Sequence, residues 1–263
     1  MNNKIITALE ELETMHSVRV LYAVESGSRA WGFASTDSDW DVRFIYIHRP
    51  EWYFSIEKRK DCIEQMLPDK LDLSGWEITK TLNLFRKSNP PLLEWLRSPY
   101  VYMENGLFTA KLKTLSNTYF SPKSCIYHYL HMAERNYKAY FKDCTVPIKK
   151  YFYMLRPLLA CRWILKHGSM APMEFLLLVE DAQLEMPVRR EIDKLFVRKI
   201  KGEELKREQP IAILNSYIEN EIKFFNDYVS GIPTAAWHDA DALNKLCTET
   251  VKEVWGTSFY TPL

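Results

Sequence analysis

The chain contains few cysteines, and they are not arranged in pairs. None shows Cys-x-x-Cys spacing, and the five lie at Cys62, Cys125, Cys144, Cys161 and Cys247. Disulfide frameworks and structural zinc sites depend on closely spaced cysteines. We therefore expect reduced thiols in a cytoplasmic protein and no zinc site. His128 and His131 have no third ligand near them in the sequence, so we expect them to be packing or surface residues.

Long apolar segments and an excess of one charge are also absent. No run of about eighteen apolar residues occurs, and the N-terminus lacks the charged and apolar regions of a signal peptide. We expect no membrane association and a cytoplasmic location. The 35 basic and 34 acidic residues leave a net charge of +1, which excludes a general polyanion-binding surface. Any nucleic-acid contact would then come from a local patch.

The most informative stretch is GSRAWGFASTDSDWD, which is followed directly by the apolar run VRFIYI. Side chains alternate between the two faces of a strand, so Asp39 and Asp41 share one face while Trp40 and Val42 share the other. Two neighbouring carboxylates repel each other unless cations lie between them, and hard ions such as Mg²⁺ or Mn²⁺ prefer oxygen ligands. The pattern predicts a metal site that holds a nucleoside triphosphate.

Gly27 and Ser28 follow a predicted strand, Val18 to Val24, and begin a turn. Glycine allows backbone N–H groups to approach phosphate oxygens closely, and the serine hydroxyl donates one more hydrogen bond. Arg29, Arg43 or both would supply positive charge. Asp-x-Asp also occurs by chance and in ordinary turns. The combination of strand, Gly-Ser turn and Asp-x-Asp favours a catalytic site over an inactive relic or a coincidence.

A two-metal site for attack on a triphosphate needs a third acid to complete one ion's ligands and to assist deprotonation of the nucleophile. Asp72 is the best candidate, because it lies between two leucines in an alternating strand pattern. Glu77 falls on the opposite face by parity and is expected to begin the next helix. Asp61, Glu64 and Asp69 are expected to be solvated hairpin residues.

Strand and helix patterns interleave in the first part of the chain, and helical patterns follow. The sequence predicts an α+β fold, with a mixed β-sheet covered by helices and then a C-terminal helical bundle. We place a catalytic domain at residues 1–110 and a helical domain that closes the cleft at residues 111–263. In the predicted helix Lys149 to Lys166, the residues Lys149, Tyr153 and Arg156 share one side. They either face the cleft and bind nucleotide, or are solvated and interdomain residues.

The segment ESGSRAWGFASTDSDWDVRFIY resembles the signature of the polymerase-beta-type nucleotidyltransferase superfamily. It is most similar to the YcgL or RlaP family of predicted nucleotidyltransferases, associated with RNA ligase and RNA repair genes. Two later segments, LDLSGWEITKTLNLFRKSNPPLLEWLRSPYVY and KKYFYMLRPLLACRWIL, resemble the same family. The resemblance extends from about Val18 to about Leu165. The superfamily pattern lands on Gly27, Ser28, Asp39, Asp41 and Asp72.

Motif and resemblance together predict a magnesium-dependent nucleotidyltransferase that transfers a nucleoside monophosphate from ATP or another triphosphate to a hydroxyl and releases pyrophosphate. The resemblance implies an RNA end as acceptor and RNA-repair proteins as partners. Since a fold does not fix a function, two alternatives stay open. One is transfer to a small molecule or a protein side chain. The other is a catalytically silent module that binds nucleotide or a partner.

Overall fold

The computed structural model describes residues 1–140, 145–203, 205–231 and 239–256. Its strands are β1 (Val18–Glu25), β2 (Trp40–His48), β3 (Cys62–Leu67), β4 (Leu71–Glu77), β5 (Val101–Glu104), β6 (Val146–Pro147) and β7 (Arg207–Glu208). Its α-helices are α1 (Asn2–His16), α2 (Gly27–Ala30), α3 (Ile78–Arg86), α4 (Pro90–Trp95), α5 (Phe108–Tyr119), α6 (Pro122–Tyr140), α7 (Ile148–His167), α8 (Phe175–Asp181), α9 (Met186–Ile200), α10 (Ala212–Gly231) and α11 (Asp241–Trp255). A 3₁₀ helix, Pro50–Phe54, follows β2.

A five-stranded mixed sheet, with the order β3-β4-β2-β1-β5, organises the first part of the chain. β2 and β4 are parallel, and the other neighbouring strands are antiparallel. The parallel pair places the N-terminal ends of β2 and β4 side by side, which positions the candidate site. The predicted α+β class is confirmed. Strand β5 was not predicted, because its four residues are too few to show alternation.

The two faces of the sheet bury different cores. Helix α1 covers one face, where Ile5 and Leu9 pack with Phe44 of β2. The other face packs against the helices of the second half of the chain, in a larger cluster that includes Tyr22 and Phe152. This larger cluster spans both predicted domains, and the division at residue 110 stays a prediction.

Helices α6 and α7 pack against each other and form the centre of the helical part. Its longest helices, α7 and α10, have 20 residues each, and α7 continues through Pro157. The prediction of helical patterns alone in the second part of the chain was wrong at one place, where β6 and β7 pair in a two-residue ladder. Two residues carry too little pattern to be recognised as a strand.

Four cysteines are free thiols, as predicted: Cys62, Cys125, Cys161 and Cys247. The fifth, Cys144, lies outside the described residues. In the part of the chain that the structure describes, no helix is both long enough and apolar enough to cross a membrane.

Close packing between β4 and β2 gives a stability prediction. Gly75 pairs with Phe44 across the parallel strands, and a Cβ added to Gly75 would lie 2.1 Å from the Phe44 ring. Since the ring is fully buried and cannot retreat, Gly75→Ala should lower the free energy of unfolding by about 1–3 kcal/mol. Urea denaturation measures this. Gly231→Ala is the control, because its added methyl group meets no atom of the described residues within 4 Å. Equal stability losses in both variants would contradict this account.

Candidate active site

The turn after β1 is pressed against the carboxylate of Asp41. Gly27 begins the short helix α2 with φ of +58°, a conformation that L side chains rarely adopt. A Cβ at Gly27 would lie 2.0 Å from Asp41 Oδ2. Glycine is therefore required here both by the backbone angle and by the close approach of the carboxylate.

Asp41 and Asp72 are direct neighbours on the parallel strands β2 and β4. Both side chains accept hydrogen bonds from the same nitrogen of Arg43, at 3.0 Å to Asp41 Oδ1 and 2.9 Å to Asp72 Oδ2. The three side chains are 20–29% exposed, so this ionic cluster lies at the surface of a depression rather than in the core. The shared face of Asp41 and Arg43 agrees with the strand parity in the sequence.

Asp39 lies just before β2 and is exposed. Its backbone carbonyl accepts a hydrogen bond of 3.1 Å from Arg29 Nε, which fixes the approach to the strand. Burial raises the pKa of Asp41 above its ordinary value of 3.8; Arg43 opposes this shift, while the carboxylates of Asp72 and Asp39 add to it. The ionised form of Asp41 is thus less favourable in the folded protein than in water.

Glu25 holds the backbone of Asp41 and was missed by the sequence reasoning. It is 1% exposed, and its carboxylate accepts hydrogen bonds from the Asp41 N–H at 3.0 Å and from the Tyr102 hydroxyl at 2.5 Å. On the other side, the Ser26 N–H donates to the Asp41 carbonyl at 2.8 Å. Burial raises the pKa of Glu25. The available signal was a charged residue at the end of the apolar run VRVLYAVE.

A cavity of about 500 Å³ opens beside this cluster. Of the predicted residues, seven line it: Gly27, Ser28, Asp39, Asp41, Arg43, Lys149 and Tyr153. The ammonium group of Lys149 makes no hydrogen bond or ion pair with any residue that the structure describes. Lys199, which lines the same cavity, was not predicted; it is 4% exposed, with its ammonium group 5.6 Å from the centre of the Phe33 ring.

Three predicted residues do not line this cavity: Asp72, Arg29 and Arg156. Asp72 is hydrogen-bonded to Arg43, and it is Arg43 that lines the cavity. Arg29 lies over the Trp40 ring at 3.7 Å and binds the Ser38 carbonyl at 2.9 Å, so its guanidinium is engaged in holding the loop before β2.

Arg156, predicted either to bind nucleotide or to be a solvated or interdomain residue, does not line the cavity beside the carboxylates. The side chain is 4% exposed and donates to Glu94 at 2.9 Å and to the Met173 carbonyl at 3.3 Å. Helical spacing predicts that Arg156 shares a side of α7 with Lys149 and Tyr153. Arg156 lies two turns beyond Lys149, where the helix is buried. Its charge is neutralised within the core.

The donor chemistry of Asp39, Asp41 and Asp72 fits a divalent cation. Carboxylate oxygens are the ligands that Mg²⁺ and Mn²⁺ prefer. Among the described residues, Asp41 Oδ2 and Asp72 Oδ1 accept no hydrogen bond, so each acid retains an oxygen for a ligand. No three His, Cys, Asp or Glu side chains within those residues are already gathered as a metal site. Arg43 supplies the positive charge between Asp41 and Asp72 instead.

Comparison with known proteins identifies the family. A family model described as RlaP, RNA repair pathway DNA polymerase beta family, matches residues 1–249. The chain is 48% identical over 255 residues to the uncharacterized protein YcgL of Bacillus subtilis (strain 168), covering 97% of this chain and 98% of that protein. The chain belongs to the RlaP family, a polymerase-beta-type nucleotidyltransferase family of the RNA repair pathway. The resemblance found in the sequence is confirmed.

A solved structure of a nucleotidyltransferase-like protein from Exiguobacterium sibiricum 255-15 is also similar. The two chains are 14% identical, and the match covers 96% of this chain and 80% of the other with a TM-score of 0.33. An overlap of this size does not bear on the assignment.

The raised pKa of Asp41 predicts the effect of removing its charge. Asp41→Asn should leave the free energy of unfolding in EDTA at pH 7 equal to or higher than that of the wild type, because ionising this partly buried acid costs free energy. The folded protein binds the proton more tightly than the unfolded chain. The advantage of the variant is therefore absent below about pH 3.8 and complete above the raised pKa. Urea titrations across this range measure it. A large loss of stability at pH 7 would mark Asp41 as structural.

Proposed function

We propose that the protein is a magnesium- or manganese-dependent nucleotidyltransferase. It transfers a nucleoside monophosphate from a triphosphate, with ATP as the donor, to a hydroxyl group and releases pyrophosphate. The acceptor is an RNA end, as the family's RNA repair pathway suggests, and the partners are other RNA-repair proteins.

One observation carries the proposal. Asp41 and Asp72 are register partners on parallel strands, and the Gly27 turn lies against Asp41 at a cavity that Lys149 also lines. A pair of neighbouring acids of which one lines the cavity, a close-approach turn and a cation are the components that polyphosphate chemistry requires.

Metal binding, phosphate binding and proton transfer are assigned to different residues. Asp39, Asp41 and Asp72 would hold the divalent ions, which neutralise phosphate charge when bound. The backbone at Gly27 and the hydroxyl of Ser28 bind the phosphates. Asp72 takes the proton of the attacking hydroxyl through the oxygen that Arg43 leaves unbound. The acceptor oxygen forms its bond to the α-phosphorus as the bond to pyrophosphate breaks.

Two further groups in the cavity act on the nucleotide. Lys149 binds the departing pyrophosphate oxygens as a charge-assisted donor. Tyr153 contacts the sugar or base, since its ring lies at the border of the cavity near Trp31. Arg43 keeps Asp41 and Asp72 at their spacing and adds positive charge next to them.

Incubation of the pure protein with triphosphates labelled at the α-phosphate tests the acceptor. RNA with a free 3′ end, RNA with a blocked 3′ end, carrier proteins and small hydroxyl compounds are supplied in turn, with magnesium or manganese. Label on RNA together with pyrophosphate release is the expected result. Label on protein or on a small compound alone would replace the RNA proposal. Nucleotide binding without pyrophosphate release from any acceptor would identify a silent binding module.

The Asp-x-Asp acids should be essential for transfer. Asp39→Asn and Asp41→Asn should each lower the rate of pyrophosphate release about 1,000-fold, because several kcal/mol of charge stabilisation are lost. Asp37→Asn is the matched control: Asp37 lines the same cavity two residues before the motif and pairs with Lys70 at the surface. It should retain nearly full activity. Full activity in the Asp39 or Asp41 variant would overturn the assignment.

Lys149 should affect the triphosphate rather than the fold. Lys149→Ala should weaken triphosphate binding about 10- to 100-fold, the usual effect of losing a charge-assisted hydrogen bond, and leave thermal stability unchanged. Lys194→Ala is the control, since its ammonium group pairs with Glu191 on the surface of α9 at 2.6 Å and does not line the cavity. Isothermal titration with ATP measures both. Similar affinities for the two variants would remove Lys149 from the phosphate site.

A further inference from the structure

A second cavity adjoins the candidate active site. It has a volume of about 380 Å³, within the range of about 300–1,000 Å³ typical of small-molecule sites. Five residues line both cavities: Ser26, Trp31, Arg43, Phe152 and Tyr153. The two cavities are therefore direct neighbours at these five residues.

The second cavity is walled mainly by apolar and aromatic side chains. Trp76 and Trp95 are stacked, with ring centroids 4.0 Å apart, and both face it. Trp31 lies at the shared wall, and its indole nitrogen is buried without a hydrogen-bond partner in the described structure. A flat aromatic ligand that also accepts a hydrogen bond suits these walls.

Glu94 places one carboxylate in this apolar space. The residue is 6% exposed, and its Oε1 accepts hydrogen bonds from the Tyr129 hydroxyl and from Arg156. Its Oε2 has no partner among the described residues. Because Arg156 already neutralises the charge, the carboxylate does not demand a cationic ligand. It offers one acceptor oxygen to a neutral N–H donor.

We propose that this cavity binds the base of the nucleoside triphosphate and that Glu94 selects bases with an amino group at purine C6 or pyrimidine C4. The amino group of adenine or cytosine donates to Glu94 Oε2. Guanine and uracil carry a carbonyl at that position, which would place oxygen against oxygen. This inference rests on the proposed function, because the phosphates are assigned to the first cavity.

Isothermal titration in the presence of magnesium, without an acceptor, tests the selection. ATP is compared with ITP, and CTP with UTP, since each pair differs by an amino or oxo group at the critical carbon. The wild type should bind the amino member of each pair about 10- to 100-fold more tightly, the ratio expected for a hydrogen bond to a charged group. Equal affinities within both pairs would overturn the proposal without any variant being needed.

Glu94→Gln assigns the preference to this side chain. The amide keeps the size and can donate to a carbonyl, so the preference for amino bases should fall to about unity or reverse. Glu221→Gln is the matched control, because Glu221 is also 6% exposed and ion-paired with an arginine, Arg162, but lines neither cavity. It should retain the wild-type preference. An unchanged preference in folded Glu94→Gln protein would exclude Glu94 as the selecting residue.

Adenosine and inosine separate this inference from the proposed function. They lack phosphates, so an adenosine preference shows base selection even if no triphosphate binds or reacts. Triphosphate binding with no base preference would leave the proposed function standing and remove the base site. Absence of binding by both triphosphates and nucleosides would remove both.

Discussion

The parallel pairing of β2 and β4 is the constraint from which the site follows. It brings Asp41 and Asp72 to the same level of the sheet on the same face, although they are far apart along the chain. Two neighbouring carboxylates repel each other, and the guanidinium of Arg43 offsets this repulsion by binding one oxygen of each. The Gly27 turn lies against Asp41, and the cavity opens beside Asp41 and Arg43.

Polar contacts from Glu25 and Ser26 hold the backbone of Asp41 in place, and the Asp41 side chain takes no part in them. The Glu25 carboxylate accepts a hydrogen bond from the Asp41 N–H, and the Ser26 N–H donates one to the Asp41 carbonyl. The end of β1 is thus hydrogen-bonded to both backbone groups of Asp41 at the start of β2. A buried, hydrogen-bonded carboxylate is costly to create and restricts geometry closely. This arrangement holds the backbone of Asp41 in place, while the side chain binds Arg43 through Oδ1 and keeps Oδ2 for a ligand.

The helical half supplies the other wall of the site. The Trp31 carbonyl accepts a hydrogen bond of 2.9 Å from the N–H of Phe175, and the Phe33 ring packs against the rings of Phe152 and Phe175. The segment between the Gly-Ser turn and the Asp-x-Asp strand is thus anchored in the helical core. Because the helix that carries Lys149 shares this core, Lys149 is held at the same cavity as Asp39 and Asp41.

Local patterns predicted the longer strands and helices and the first half of the site, but not the short strands β5, β6 and β7. Strand alternation put Asp39, Asp41 and Arg43 on one face, and the Gly-Ser turn followed from backbone chemistry. Alternation also chose Asp72, but only the strand order shows that it neighbours Asp41. The chain order gives no such information, because β3 intervenes.

What the sequence determined by itself is the class of fold, the family and the acidic motif, since these depend on short-range spacing. The tertiary structure decided which charges face the cavity. Helical spacing grouped Arg156 with Lys149, yet packing buried one against Glu94 and left the other at the cavity wall. Whether a charged side chain finds a partner depends on residues distant in the chain, and periodicity along one helix does not contain that information.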